Sequence, residues 1–189
     1  MLQKSDVIKE ICSALLNEDE ETAKLLAVRE YPFVSQRPVK RRITKVECTK
    51  LFIRDGFVDR YSGERLLYPG VIVLLSTLLP DEFPFHPNWK MDSCHVCYWE
   101  LWPTIDHVIP IARGGKDNED NWVSTSMLRN SAKANSLLSE IDWKLYPPGN
   151  FEDWDGLIHW FVQYVESHEY LLKNIKIKTW NSCAKKCLP

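Results

Sequence analysis

The run Ile105-Asp106-His107-Val108-Ile109-Pro110 is followed, at short intervals, by Gly114-Gly115, Asn121, Asn130 and Lys133. Residues of these types can build a compact divalent-metal site for phosphodiester hydrolysis. That reaction needs a positioned water, a base to activate it, and positive charge beside the departing oxygen. Imidazole suits the base because it can be neutral near pH 7 and still accept a proton, and His107 is the candidate. A hard cation such as Mg²⁺ prefers oxygen ligands and keeps several waters, so a pair of protein oxygens suffices. Asp106 offers a carboxylate and Asn130 an amide carbonyl, which makes Mg²⁺ or Mn²⁺ the expected cofactor. Lys133, three residues beyond Asn130, would share its helix face and reach a phosphate as a point charge.

These side chains must be positioned by a strand, a loop, a second strand and a helix. Neighbours on a strand point to opposite faces, so Asp106 and His107 can serve one site only where the strand ends or twists. Pro110 is consistent with such an end. The glycine pair permits a tight loop, Asn121 can brace it through side-chain hydrogen bonds, and Ser124-Thr125-Ser126 precedes the helix.

In order and spacing, residues 104–135 resemble the HNH, or ββα-metal, endonucleases. The similarity is greatest to the Asp-His…Asn…Asn variety, found in the HNH domain of RNA-guided CRISPR nucleases and in phage junction-resolving enzymes. The resemblance implies that Asp106 is a metal ligand, His107 the general base and Asn121 the middle Asn. It makes Asn130 the third motif residue, where many members carry His, and Lys133 a frequent basic companion. It also implies a 5′-phosphate and a 3′-hydroxyl as products. Upstream, Arg54-Asp55-Gly56-Phe57 and Tyr61-Ser62-Gly63 resemble the segment that opens many HNH domains. There the family carries paired zinc cysteines, and the corresponding slots here hold Asp59 and Ser62, with Ser126 and Arg129 at the second pair.

Cys94-x-x-Cys97 could instead be half of a structural zinc site completed by Cys183 and Cys187. Free, partly buried thiols are the alternative reading. Six cysteines without an evident secretory leader fit a cytoplasmic protein whose thiols are reduced or bind metal. The longest apolar run, Val71 to Leu79, is far short of the ~20 residues needed to cross a bilayer.

The net charge of −2 argues only mildly against a nucleic-acid partner, because charge distribution matters more than its sum. Arg37, Lys40, Arg41, Arg42, Lys45, Lys50 and Arg54 form a basic stretch interrupted by the single acid Glu47. Arg113, Arg129, Lys40, Arg41 and Arg42 are the residues expected to hold a DNA backbone. A second basic stretch runs from Lys173 to Lys186. DNA is the expected partner, and a homodimer or protein partner stays open because one ββα site cuts one strand at a time.

The expected fold is α+β, a ββα-metal core between N- and C-terminal helices. Residues 1–42 read as an N-terminal helical region, 43–146 as the core with a helical and loop insertion, and 147–189 as a C-terminal helix and tail, all expected to form one compact domain. Helices are predicted near residues 7–16, 17–31, 43–54 and 71–79. A further helix, capped at Asn150 or Asp153, carries Leu157 to Leu172, and Ile175 with Ile177 suggests a short terminal strand. A metal-dependent endonuclease is thus expected. An inactive binding module on the same scaffold and an RNA-cleaving toxin are the alternatives.

Overall fold

The computed structural model describes residues 3–33 and 43–188 and divides into two units, Met1–Lys40 and Arg41–Pro189. The first unit is a pair of packed helices, α1 (Lys4–Leu16) and α2 (Glu20–Glu30). Asp19 starts α2 by accepting a 3.0 Å hydrogen bond from Thr22 N, which satisfies one of the donors left over at a helix start. Val7 and Ala23 are its buried side chains.

The second unit contains α3 (Lys45–Arg54), α4 (Pro69–Leu78), the short α5 (Cys97–Glu100), β1 (Pro103–His107), β2 (Trp122–Ser126), α6 (Met127–Lys133), α7 (Ile158–Ser167) and α8 (Ile175–Cys187). It is an α+β fold whose strands form one antiparallel pair, with Pro103 opposite Ser126 and His107 opposite Trp122. With α6 this hairpin makes the expected ββα element. A capping box starts α3: Glu47 N donates to Thr44 Oγ1 at 3.2 Å, and Thr44 N donates to Glu47 at 2.7 Å. Pro69 opens α4, where a missing N–H costs nothing. The helix is apolar on most sides and is correspondingly buried.

Phe52, Phe57, Tyr68, Leu74, Ile158, Phe161, Val165, Ile177 and Trp180 form the main core, which joins α3, α4, α7 and α8. Tyr68 satisfies its buried hydroxyl by donating to Trp180 O at 2.6 Å.

Two expectations at the C-terminal end are corrected. Residues 150–157 are not helical: Asp155 instead accepts from Leu157 N at 2.8 Å and His159 N at 3.2 Å, and α7 begins only at Ile158. Ile175 and Ile177 lie in a helix, not a strand. Asn174 caps α8 by accepting from Lys176 N, and Ile177, Trp180, Cys183 and Ala184 bury one helical face. The alternation of isoleucine and lysine covers only four residues, and the longer helical period wins.

Candidate active site

The segment Arg54-Asp55-Gly56-Phe57 ties α3 to the hairpin. Asp55 is buried, and its carboxylate accepts from Ser124 N of β2 at 2.7 Å. Arg60 pairs with the same carboxylate at 3.2 Å and Arg54 at 3.0 Å. Gly56 has φ +61°, and a Cβ there would lie 2.4 Å from the Gly149 backbone, so the sharp exit from α3 requires glycine.

Asp106 and His107 end β1, where they face Val123 and Trp122 across the hairpin. Asp106 Oδ2 accepts a 2.6 Å hydrogen bond from Tyr61 Oη and pairs with Lys133 Nζ at 2.8 Å. Burial, reinforced by the Asp106 carboxylate, pushes the Tyr61 phenol far above its ordinary pKa, so it remains a donor. His107 Nε2 lies 2.8 Å from Asp117 Oδ1 and 2.8 Å from Trp122 Nε1, and that indole nitrogen lies 3.1 Å from Asp117 Oδ1. An indole N–H only donates. The indole N–H is thus shared between His107 Nε2 and Asp117 Oδ1, which ties the three side chains together. Asp117 and Trp122 therefore hold the imidazole plane.

The loop between the strands is locked by Asn121. Its side chain accepts from Ile109 N at 2.9 Å and donates to Ile109 O and Lys116 O, each at 2.8 Å. Gly115 leaves no room for a side chain, since a Cβ would lie 1.8 Å from Ile109 O and 2.9 Å from Asn121 Nδ2. Gly114 takes φ +89° at the end of the 3₁₀ turn Ile111–Arg113.

Ser126 caps α6 by accepting from Arg129 N at 3.2 Å, and this helix brings Asn130 to the hairpin. Asn130 Nδ2 donates to Thr104 Oγ1 at 3.0 Å and lies 3.4 Å from Ile105 O. Thr104 Oγ1 gives its own proton to Thr125 O, so it can only accept from Asn130. That fixes the amide with Oδ1 turned away from the strand. Among the described residues no hydrogen bond reaches Asn130 Oδ1 or Asp106 Oδ1. Both are hard oxygens of the kind that suits a cation retaining most of its water.

Lys133 departs from expectation. It is completely buried, with Nζ on Asp106 Oδ2 and donating 2.8 Å to His107 O, so it positions the Asp-His pair and does not face a phosphate. Arg113 is half-exposed and pairs with Glu140 at 3.0 Å. Arg129 pairs with Glu64 at 3.2 Å. Lys40, Arg41 and Arg42 lie outside the described residues.

The zinc expectation on the cysteines is also corrected. Cys94 and Cys97 pack with Ile72 and Tyr98, whereas Cys183 packs in the main core and Cys187 lies next to it on α8, its thiol donating to Val46 O at 3.7 Å. The four do not meet; all are free thiols, and burial, with Cys94 beside it, pushes Cys97 up to about 11. Among the described residues no group of three or more His, Cys, Asp or Glu could cage a metal. The slots where HNH domains carry cysteine do come together. Asp59 accepts from Ser126 N at 2.8 Å and lies 3.7 Å from Arg129 Nε, and Glu64 links Arg129 to Ser62 at 3.2 Å on each side. A hydrogen-bonded ionic network joins these positions.

Tyr61, Asp117 and Trp122 are contributors that motif spacing does not single out. Tyr61 lies in the flagged opening segment, but nothing local shows that it reaches Asp106, 45 residues away. Asp117 is one of several acids in a polar loop.

Residues 94–125 match the family model of HNH endonucleases. The match spans β1, the glycine loop and all but the last residue of β2, and it stops before α6. No curated protein and no solved structure matches the chain. The matched family is one of endonucleases, and the similarity covers this segment of the chain. No helix among the described residues is long and apolar enough to cross a membrane.

Proposed function

We propose that this chain is a metal-dependent HNH-type endonuclease that hydrolyses DNA phosphodiester bonds. The observation that carries the reading is that Asp106 Oδ1 and Asn130 Oδ1 accept no hydrogen bond among the described residues, while Asp106 Oδ2, Asn130 Nδ2 and the His107 carbonyl are all tied down. Mg²⁺ or Mn²⁺ on those oxygens would supply Lewis-acid charge for the phosphate and the departing oxygen. His107 takes the proton of the attacking water. Asp117 orients its ring and supports the positive charge that the ring then gains. Lys133 and Tyr61 fix the Asp106 carboxylate, and Asn121 with Gly115 fixes the loop that follows the base. All of these supports are preorganised, so little is spent on rearrangement as charge develops.

Plasmid nicking tests the reading, with wild type and His107→Ala compared in Mg²⁺, Mn²⁺ and EDTA, and with structured RNA run alongside. Cleavage of DNA by wild type alone, abolished by EDTA, is expected. His107→Ala should keep its fold and DNA affinity, because a general base acts on the chemical step. Full activity of His107→Ala would remove the base assignment, and cleavage of RNA but not DNA would replace the substrate.

A further inference from the structure

Away from the Asp-His pair, a cavity of about 420 Å³ opens between α4, α5, the start of β1 and the first turn of α8. Its walls are aromatic. Trp89 meets Tyr98 edge-on at 5.4 Å and Trp102 at 5.3 Å, Tyr98 and Trp102 stack at 5.7 Å with planes 21° apart, and Trp180 closes the far side at 5.9 Å from Trp102. Trp89 has φ +49°, a left-handed conformation that a bulky residue adopts only at a cost. That strained backbone turns an indole toward the cavity.

The mouth is cationic. Lys45 Nζ lies over the Trp180 ring at 4.8 Å and Lys176 Nζ over Phe85 at 3.9 Å. Both lysine side chains are exposed, and no carboxylate lines the cavity. The first turn of α8 also lines it, so the positive end of that helix dipole adds to the field. An apolar ligand alone would not need the cations, and a cationic ligand would be repelled by them. The walls suit a flat aromatic group, and the rim suits an attached anion.

We infer that this aromatic, lysine-rimmed cavity binds a nucleotide unit, with its base against Trp89 and Trp102 and its phosphate between Lys45 and Lys176. Base–aromatic stacking with lysines along the backbone is the general means of holding single-stranded nucleic acid without sequence choice. Trp102 directly precedes β1, whose far end carries Asp106, so the cavity and the candidate active site share one strand. At ~3.3 Å per strand residue they lie roughly 13 Å apart along β1, within reach of one nucleic-acid strand. The inference concerns binding and does not require that the chain cleaves what it holds.

The experiment uses the full chain carrying His107→Ala, so that no probe is cut, and reads quenching of tryptophan fluorescence. Probes are oligothymidylate, thymidine monophosphate, thymidine and inorganic phosphate. Oligothymidylate and the monophosphate should quench and saturate, and thymidine should bind roughly tenfold or more weakly for want of the anion. Tighter binding of the oligonucleotide identifies a strand as the source, and equal binding identifies a free mononucleotide; either result supports the cavity. Lys45→Glu with Lys176→Glu should weaken the monophosphate at least tenfold. Both acids fall in first helical turns, which favour negative charge, so the melting temperature should hold. Trp89→Leu provides a second variant and should reduce both the quench and the affinity. Failure of oligothymidylate and the monophosphate to quench would overturn the inference. So would unchanged monophosphate affinity in the double charge reversal and in Trp89→Leu, or phosphate competing as well as the monophosphate. None of these results depends on whether wild type nicks DNA.

Discussion

Lys133→Met separates a buried positioning lysine from an exposed phosphate contact. The ammonium is fully buried, pairs with Asp106 Oδ2 at 2.8 Å, donates to His107 O at 2.8 Å and lies 5.6 Å from the centre of the Tyr61 ring. Methionine keeps the stem and removes the charge. Asp106, only 12% exposed, would then be left with only Tyr61 on Oδ2, and the His107 carbonyl would lose its donor. Breaking a buried pair from one side costs about 3–5 kcal/mol. The surviving Tyr61 bond points to the lower end, about 3 kcal/mol, which lowers the melting temperature by roughly 6–12 °C at ~2–4 °C per kcal/mol. Urea unfolding followed by tryptophan fluorescence should show a lower midpoint at unchanged slope. Lys133→Met with Asp106→Asn should recover at least ~1 kcal/mol, because removing both charges leaves none stranded. A single mutant within ~1 kcal/mol of wild type, with a flatter salt dependence of DNA binding, would refute the argument and return Lys133 to the phosphate.

Three further outcomes are expected. Asn130→Ala should shift the Mg²⁺ titration of cleavage to higher concentration with partial rescue by Mn²⁺, which tolerates less regular coordination; an unchanged titration curve would remove Asn130 from the metal site. Gly115→Ala should cost about 2 kcal/mol or more and most of the activity, since its Cβ would meet Ile109 O at 1.8 Å, whereas Gly114→Ala, strained only by φ, should cost about 1 kcal/mol. Equal melting temperatures for the two would argue that the loop does not depend on the Asn121 lock. Reversing Lys40, Arg41 and Arg42 to Glu should weaken unrelated duplexes by similar factors and flatten the salt slope by about one unit per lost phosphate contact; an unaltered slope would move the DNA path to another surface.

The ββα element was legible because its signals are local. A strand ending at Pro110, a glycine pair, an Asn brace and a serine cap each act within a few residues. The start of α3 was legible for the same reason, since Thr44 and Glu47 complete its cap between themselves. The fate of Lys133 was not legible. Helical spacing puts Asn130 and Lys133 on one face, but whether that face meets solvent is decided by Tyr61 and Asp106 from distant segments. The cysteines misled in the opposite direction. Cys-x-x-Cys has zinc-like spacing, yet Cys97 lies at the start of α5 against Tyr98, and the helix bearing Cys183 and Cys187 packs elsewhere. Spacing defines a metal site only when a second pair converges on the first.

The polar residues at positions 59, 62, 126 and 129 and the burial of Asp55, Asp59 and Asp106 are two aspects of one arrangement. A two-stranded sheet leaves the outer edge of each strand unpaired, and its N–H groups need acceptors if they are buried. On β2, Ser124 N donates to Asp55 and Ser126 N to Asp59, while Ser124 O accepts from Arg60 N at 2.9 Å. The segment from Asp55 to Tyr61 thus seals that edge without forming a strand, and Tyr61 extends the contact to Asp106 on β1. Arg54, Arg60 and Arg129 supply the balancing charge, which buried carboxylates require. A zinc ion between paired cysteines would crosslink the same two segments. Here side-chain acceptors do so and continue directly into the carboxylate that faces the candidate cation, so the element that stabilises the hairpin also aims Asp106.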